Sequence, residues 1–221
     1  MLGMIFMAVT LLAACGGGGG SEAPAATNVN SNTTSPLTSS APAPVVNSAE
    51  VVQSQGNTSA LTSPSFDATS LPSVFSSCGL NDFYSVALKR LNAYRERGSS
   101  CGRSGNFPPT SPLRYNVKLM QSSELHAQDM ATQNYFSHVS KDGRGLKDRI
   151  ESTQYGWKLL SQNIAAQYPN VDSVVDAWMA SESHCVNLMN QKFVDIGLSC
   201  VSAPQGATYS NYWAMDMGQP Q

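Results

Sequence analysis

The feature that most limits what this 221-residue chain can fold into is a break in charge near residue 77. All 13 lysines and arginines, 12 of the 15 acidic residues and all three histidines lie beyond it; before it the only charged side chains are Glu22, Glu50 and Asp67. Gly16 to Ser77 consists mainly of Gly, Ser, Thr, Ala, Pro and Asn. Such a stretch cannot bury enough apolar surface to offset its ordering entropy, so a disordered tether is expected over 15–77, with an r.m.s. span of about 45 Å. Folding is confined to 78–221, where the formal charge is 13 − 12 = +1. With so small a balance, nucleic acid is excluded as an electrostatic partner.

Residues 1–14 carry no charged side chain and are almost wholly apolar. They are too short to cross a bilayer as a helix but match the apolar part of a secretion signal. The five cysteines are Cys15, Cys78, Cys101, Cys185 and Cys200. Four can pair in an oxidising compartment, which leaves Cys15 over. Leu12-Ala13-Ala14-Cys15 resembles the lipobox of bacterial lipoproteins. That resemblance implies a signal peptide over 1–14, a lipid on Cys15, and a domain hung from the membrane on the outer side of the cell envelope. Gly16 rather than Asp after the cysteine implies outer-membrane sorting in a Gram-negative cell. Of three connectivities for the other cysteines the most local is expected, Cys78–Cys101 with Cys185–Cys200. The second of these loops is worth about 3 kcal/mol in the chain-entropy model.

Within 78–221 the apolar periods change along the chain. Phe83, Ala87, Leu91 and Tyr94 predict a helix over 81–97, with Asn81 at its start and Gly98 at its end. Leu119, Ser122, Ser123, His126 and Met130 form the stripe of a second helix over 117–135, and a short helix is expected over 146–153. Asn170 introduces a third long helix carrying Val171, Val174, Val175 and Trp178. After that, Val194, Ile196, Leu198 and Cys200 alternate with Asp195, Gly197 and Ser199, the period of a half-buried strand. Residues 208–217 return as its antiparallel partner, and 161–166 form a third strand. Helices first and a small sheet late predict an α+β layer fold.

Eight short pieces in this order resemble the CAP superfamily, the cysteine-rich secretory, antigen 5 and pathogenesis-related 1 proteins with their bacterial SCP-like branch. They are Leu91-Asn92-x-x-Arg95, Pro112-Leu113-Arg114-Tyr115-Asn116, Phe136-Ser137-His138, Gln162-Asn163-Ile164-Ala165, Trp178-Met179-x-Ser181-x-x-His184, Asn187-Leu188-Met189, Ile196-Gly197 and Tyr212-Trp213. The resemblance covers nearly all of 78–221. It implies an α-β-α sandwich with a small three-stranded antiparallel sheet, and an open cleft floored by histidine and glutamate side chains.

Carried over by position, His138 and His184 are the cleft histidines, and two imidazoles facing one another could hold zinc or another divalent cation. The sequence departs from the family at Gln162, where Glu is usual. An amide cannot accept a proton at neutral pH, so the most obvious general base is missing. Glu182 is the other carboxylate candidate for the cleft. Ala214-Met215 stands where Thr-Gln often follows the Tyr-Trp pair. His126, on the apolar stripe of its helix, reads as a hydrogen-bonded core residue, and Trp157, Trp178 and Trp213 as packing residues. Two functions follow from this residue set, with an inert structural lipoprotein as a third reading. One is a non-catalytic, monomeric module binding a lipid, glycan or peptide ligand of the envelope or its surroundings; the other is a hydrolase using metal-bound water between His138 and His184.

Overall fold

The computed structural model describes residues 50–53, 65–66 and 75–221; the signal-like segment, Cys15 and most of the tether lie outside the described residues. In chain order the elements are β1 (Glu50–Gln53), β2 (Ser65–Phe66), α1 (Phe83–Arg97), β3 (Ser99–Ser100), β4 (Asn106–Phe107), β5 (Arg114–Asn116), α2 (Val117–Gln133), α3 (Leu146–Ser152), β6 (Trp157–Ala166), α4 (Val171–Ala180), α5 (Glu182–Met189), β7 (Asp195–Ser202) and β8 (Asn211–Pro220). The expected helices all form. α2 begins at Asn116, whose side chain accepts from the Lys118 N–H, and α4 at Asn170, which accepts from Ser173 N–H.

The α+β architecture is as expected, but the three-stranded sheet is corrected to a six-stranded one in the order β1-β6-β8-β7-β5-β2. Its centre is the expected antiparallel trio of β6, β8 and β7. β5 pairs with β7 in parallel, and β1 and β2 add antiparallel edges. The added strands are two to four residues long, too short for alternation to be read. β1 and β2 also correct part of the disorder expected for the tether: an unpaired edge of β6 offers a row of backbone donors and acceptors, and Glu50-Val51-Val52-Gln53 fills it.

Strand alternation sorts the core into two faces. Tyr212 and Ala214 of β8 and Ile164 of β6 pack with Ala127, Met130 and Ala131 of α2. Trp213, Met215 and Met217 of β8 pack on the other face with Phe83 and Leu91 of α1, Trp178 of α4 and Leu188 of α5. The result is a sandwich with α2 and α3 on one side and α1, α4 and α5 on the other. Gly197 in β7 lets α2 sit flush on the sheet, since a Cβ there would collide with the Leu119 carbonyl.

The disulfides correct the expected pairing: Cys78 joins Cys200 and Cys101 joins Cys185. The 15-residue helix α1 stands between Cys78 and Cys101, and at about 1.5 Å of rise per residue it holds its ends some 22 Å apart. A disulfide needs Cα atoms within about 7 Å, and the pairs formed here lie at 5.2 and 5.4 Å. Arg95 supplies a polar counterpart to these ties. Buried, with its pKa lowered by burial to about 10, its guanidinium donates to the carbonyls of Ser111, Leu188, Asn190 and Phe193. One α1 side chain thus fastens the loop before β5 and the exit of α5.

Candidate functional site

On the α2 face a polar row crosses the sheet. Glu50 of β1 stands opposite Gln162 of β6, Gln162 opposite Asp216 of β8, and Asp216 opposite Gly197 of β7. Directly opposed residues of antiparallel strands point to the same face, so these side chains form one line. Gln162 and Asp216 are fully buried.

Gln162 uses both ends of its amide. Nε2 donates to Asp216 Oδ1 at 2.7 Å; Oε1 accepts from His138 Nδ1 at 2.9 Å and from Arg149 Nη2 at 3.4 Å. Because the amide oxygen can only accept, His138 Nδ1 is the donor of this pair. A carboxylate at 162 could not donate to Asp216. The departure from Glu is therefore matched by the strand beside it. Burial raises the Asp216 carboxyl above the ordinary range, with the Arg149 charge pulling the other way.

Arg149, from α3, is the second anchor of His138. Its Nη2 donates to the His138 carbonyl at 2.8 Å, and its Nη1 to the Arg144 carbonyl at 2.9 Å and the Ser140 hydroxyl at 3.3 Å. His126 of α2 is the third: its Nε2 lies 3.0 Å from the Ser137 carbonyl, fixing the residue before His138. Burial first, then the Arg149 charge, lowers the His126 pKa to about 3. The reading of His126 as a hydrogen-bonded core residue agrees with this placement, though the group that it holds is the site itself.

His184 enters from the opposite face. Ser181 ends α4 with its N–H on the Ala177 and Trp178 carbonyls and starts α5 by accepting from Cys185 N–H, a corner that sequence periodicity did not separate. Asn163, pointing away from Gln162, donates to the His184 carbonyl at 3.3 Å. His184 Nδ1 lies 2.7 Å from Ser181 Oγ, while Nε2 is buried without a hydrogen-bond partner. Burial, then the charge of His138, lowers the His184 pKa to about 4. The two histidines thus feel each other around β6, but the expected wet concavity is corrected on one side: His138 is half-buried and His184 has 0% exposure. Its helix is pinned inward by the Cys101–Cys185 bond beside it.

The family model for CAP, the cysteine-rich secretory protein family, matches residues 88–217, more than half of the chain. The chain belongs to this family. The CAP match includes His138, Arg149, Gln162, His184 and Asp216 and excludes β1. Two relatives come from Bacillus subtilis (strain 168). The uncharacterized membrane protein YlbC is 38% identical over 73 residues, 33% of this chain and 21% of that protein; the uncharacterized protein YkwD is 35% identical over 92 residues, 42% and 36% respectively. The chain thus spans about a third or less of the curated relatives it matches. An outer surface protein from Borrelia burgdorferi superposes with a TM-score of 0.52 at 15% identity, covering 72% of this chain and 100% of that one, and so shares the fold.

Glu182 is not brought to this part of the CAP domain. Its carboxylate takes the Ser104 hydroxyl at 2.8 Å and Arg103 Nε at 3.1 Å, partners beyond the Cys101 loop, and this corrects its candidacy as a cleft carboxylate. Arg149, Asp216 and Glu50 complete the site and were not assigned a role from sequence. Arg149 left a signal: a charged residue on the face of α3 that carries Leu146 and Ile150 and packs inward. Asp216 falls among Trp213, Ala214, Met215 and Met217 of β8, an apolar run that marks a buried carboxyl. Glu50 gave none, because the register of a four-residue strand is a tertiary choice.

Proposed function

We propose that this CAP domain is a non-catalytic binding module presented outside the cytoplasm, hung from the cell envelope by a lipid on Cys15, and taking a lipid, glycan or peptide ligand. The observation that carries the reading is the partner of His138 Nδ1: the Gln162 amide, with no proton to take at neutral pH. Position 162, where the family usually carries a carboxylate, holds an amide that cannot accept the proton that hydrolysis of an ester, amide or glycoside must hand to a group near the reacting atom. Burial lowers the His126 and His184 pKa values to about 3 and 4, so both rings are weak proton acceptors. Two disulfides support an oxidising, extracytoplasmic setting. The name of YlbC as a membrane protein points the same way. No helix among the described residues is long and apolar enough to cross a membrane, so attachment in this reading falls to the lipid.

A metal-dependent hydrolase has one observation for it, the unpartnered Nε2 of His184. The donor set does not fit. The side chain between His138 and Asp216 is a neutral amide, and the described residues contain no group of three or more His, Cys, Asp and Glu able to hold an ion. Incubating the purified chain with peptidoglycan fragments and a peptide library, with products followed by mass spectrometry, tests the binding reading. The expected result is no turnover. Turnover abolished by His138→Ala would overturn it.

A further inference from the structure

Three observations outside the matched family region meet at the edge of β6. First, Glu50–Gln53 forms a strand whose register sets Glu50 against Gln162, Val51 against Ser161 and Val52 against Leu160. Second, alternate side chains of this strand are used. Val52 is half-buried against the cluster of Leu119, Leu146, Ile150, Tyr155, Trp157 and Leu160, while Val51 between them is 50% exposed. Third, the Glu50 carboxylate enters the polar row: its Oε2 is buried without a hydrogen-bond partner, as is Nε of Arg149, and the Glu50 charge acts on both Arg149 and Asp216. Burying a carboxylate oxygen is costly unless an opposite charge acts on it, and the buried Arg149 guanidinium acts on Glu50 through space, without a direct ion pair between the two side chains.

We propose that the β6 edge beside His138, Gln162 and Arg149 is a strand-addition site for an extended peptide carrying a carboxylate and, two residues later, a β-branched apolar side chain, and that Glu50–Gln53 is its built-in occupant. The inference rests on the binding-module reading and names peptide as its ligand class. Strand addition explains the division of labour. Backbone ladder bonds hold any extended chain, Arg149 selects the acid, and the Leu119–Ile150 side of the cluster selects the apolar residue. The occupant lies on the stretch that leads toward Cys15, so an external peptide binds by displacing a segment already present at high local concentration.

The test uses the full chain and a fluorescent peptide of the sequence Ser48 to Gln55. Val52→Asp places a charge against Leu119 and Ile150 and expels the built-in strand. Peptide binding by anisotropy is expected to be at least ten-fold tighter to V52D than to the parent chain. The same peptide with Gln in place of its Glu is expected to bind at least ten-fold more weakly. Amide exchange at Leu159 to Gln162 is expected to speed up in V52D and slow again with peptide. Equal affinity for both chains, no binding to a folded V52D chain, or indifference to the Glu-to-Gln change would each overturn the proposal. Val52→Ser repeats the measurement with a neutral residue should V52D not fold. Mass analysis of the peptide separates the two readings: binding followed by cleavage supports strand addition and overturns the non-catalytic reading, whereas failure to bind overturns strand addition alone.

Discussion

Replacing Gln162 with glutamate restores the residue usual for the family and, in this chain, should destabilise it in a pH-dependent way. The amide Nε2 donates to Asp216 Oδ1 across 2.7 Å, and both side chains are fully buried. A glutamate in the same rotamer sets two carboxylate oxygens at that distance. They cannot both ionise, so the folded variant must hold a proton that the unfolded chain, with carboxyl pKa values near 4, has lost. Asp216 is already raised by burial, and the variant raises the pair further. A carboxyl whose folded pKa lies above its unfolded value contributes stability that is complete below the unfolded value and is lost as pH rises through the folded one. At pH 4.5 the shared proton lets the introduced carboxyl donate to Asp216 as the Gln162 amide does, and the cost is about 1 kcal/mol. By pH 8 it reaches about 3–5 kcal/mol, the range for an uncompensated buried charge, climbing at no more than about 1.4 kcal/mol per pH unit. That is a large part of the stability of an ordinary domain, about 5–15 kcal/mol. Urea unfolding of parent and variant at pH 4.5, 6 and 8 measures the difference. A difference that stays flat with pH, or a variant as stable as the parent at pH 8, would refute the assignment of the amide as donor to Asp216.

Arg149→Met should cost about 3 kcal/mol, because it strips the donors from the His138 and Arg144 carbonyls and the countercharge from Asp216; thermal unfolding reads the loss, and an unmoved His138 imidazole NMR signal would argue against its positioning role. The paired change of Cys101 and Cys185 to serine should lower stability by about 4–5 kcal/mol, since that bond joins positions 84 residues apart, against about 3 for the short loop expected from sequence; a loss under 1 kcal/mol would contradict the connectivity. His126 and His184, with pKa values near 3 and 4, should stay silent in imidazole NMR between pH 5.5 and 8. Because both folded values lie below the unfolded value of about 6.5, their contribution is present above that pH and is lost as pH falls toward 4. Two protons at about 1.4 kcal/mol per unit each outweigh the single opposing proton of Asp216, so the midpoint in urea should fall steeply below pH 6, and a flat profile there would show the rings accessible to solvent.

Periodicity and capping were enough for the long helices and the central strands. Asn170 caps α4 where its side-chain oxygen can reach an N–H three residues on, and Val171, Val174, Val175 and Trp178 leave one way for that helix to pack; the cap expected at Asn81 is corrected, since α1 starts from Asp82 with no side-chain cap. The contact between His138 and Gln162 was half legible. Both residues were singled out by resemblance, yet only the register of β6 against β8 shows that the amide serves Asp216 as well.

Local chemistry along the chain thus decided the class of fold, the element boundaries within a few residues and the loss of the expected carboxylate. The tertiary structure decided the disulfide partners, the burial of His184, the turning of Glu182 toward Arg103, the buried cation at Arg149 and the arrival of Glu50 on the β6 edge. The physical reason is range. Helix periods and caps act over a few residues, whereas a disulfide between positions 122 apart, or a four-residue strand choosing its register, depends on which surfaces the completed layers bring within reach.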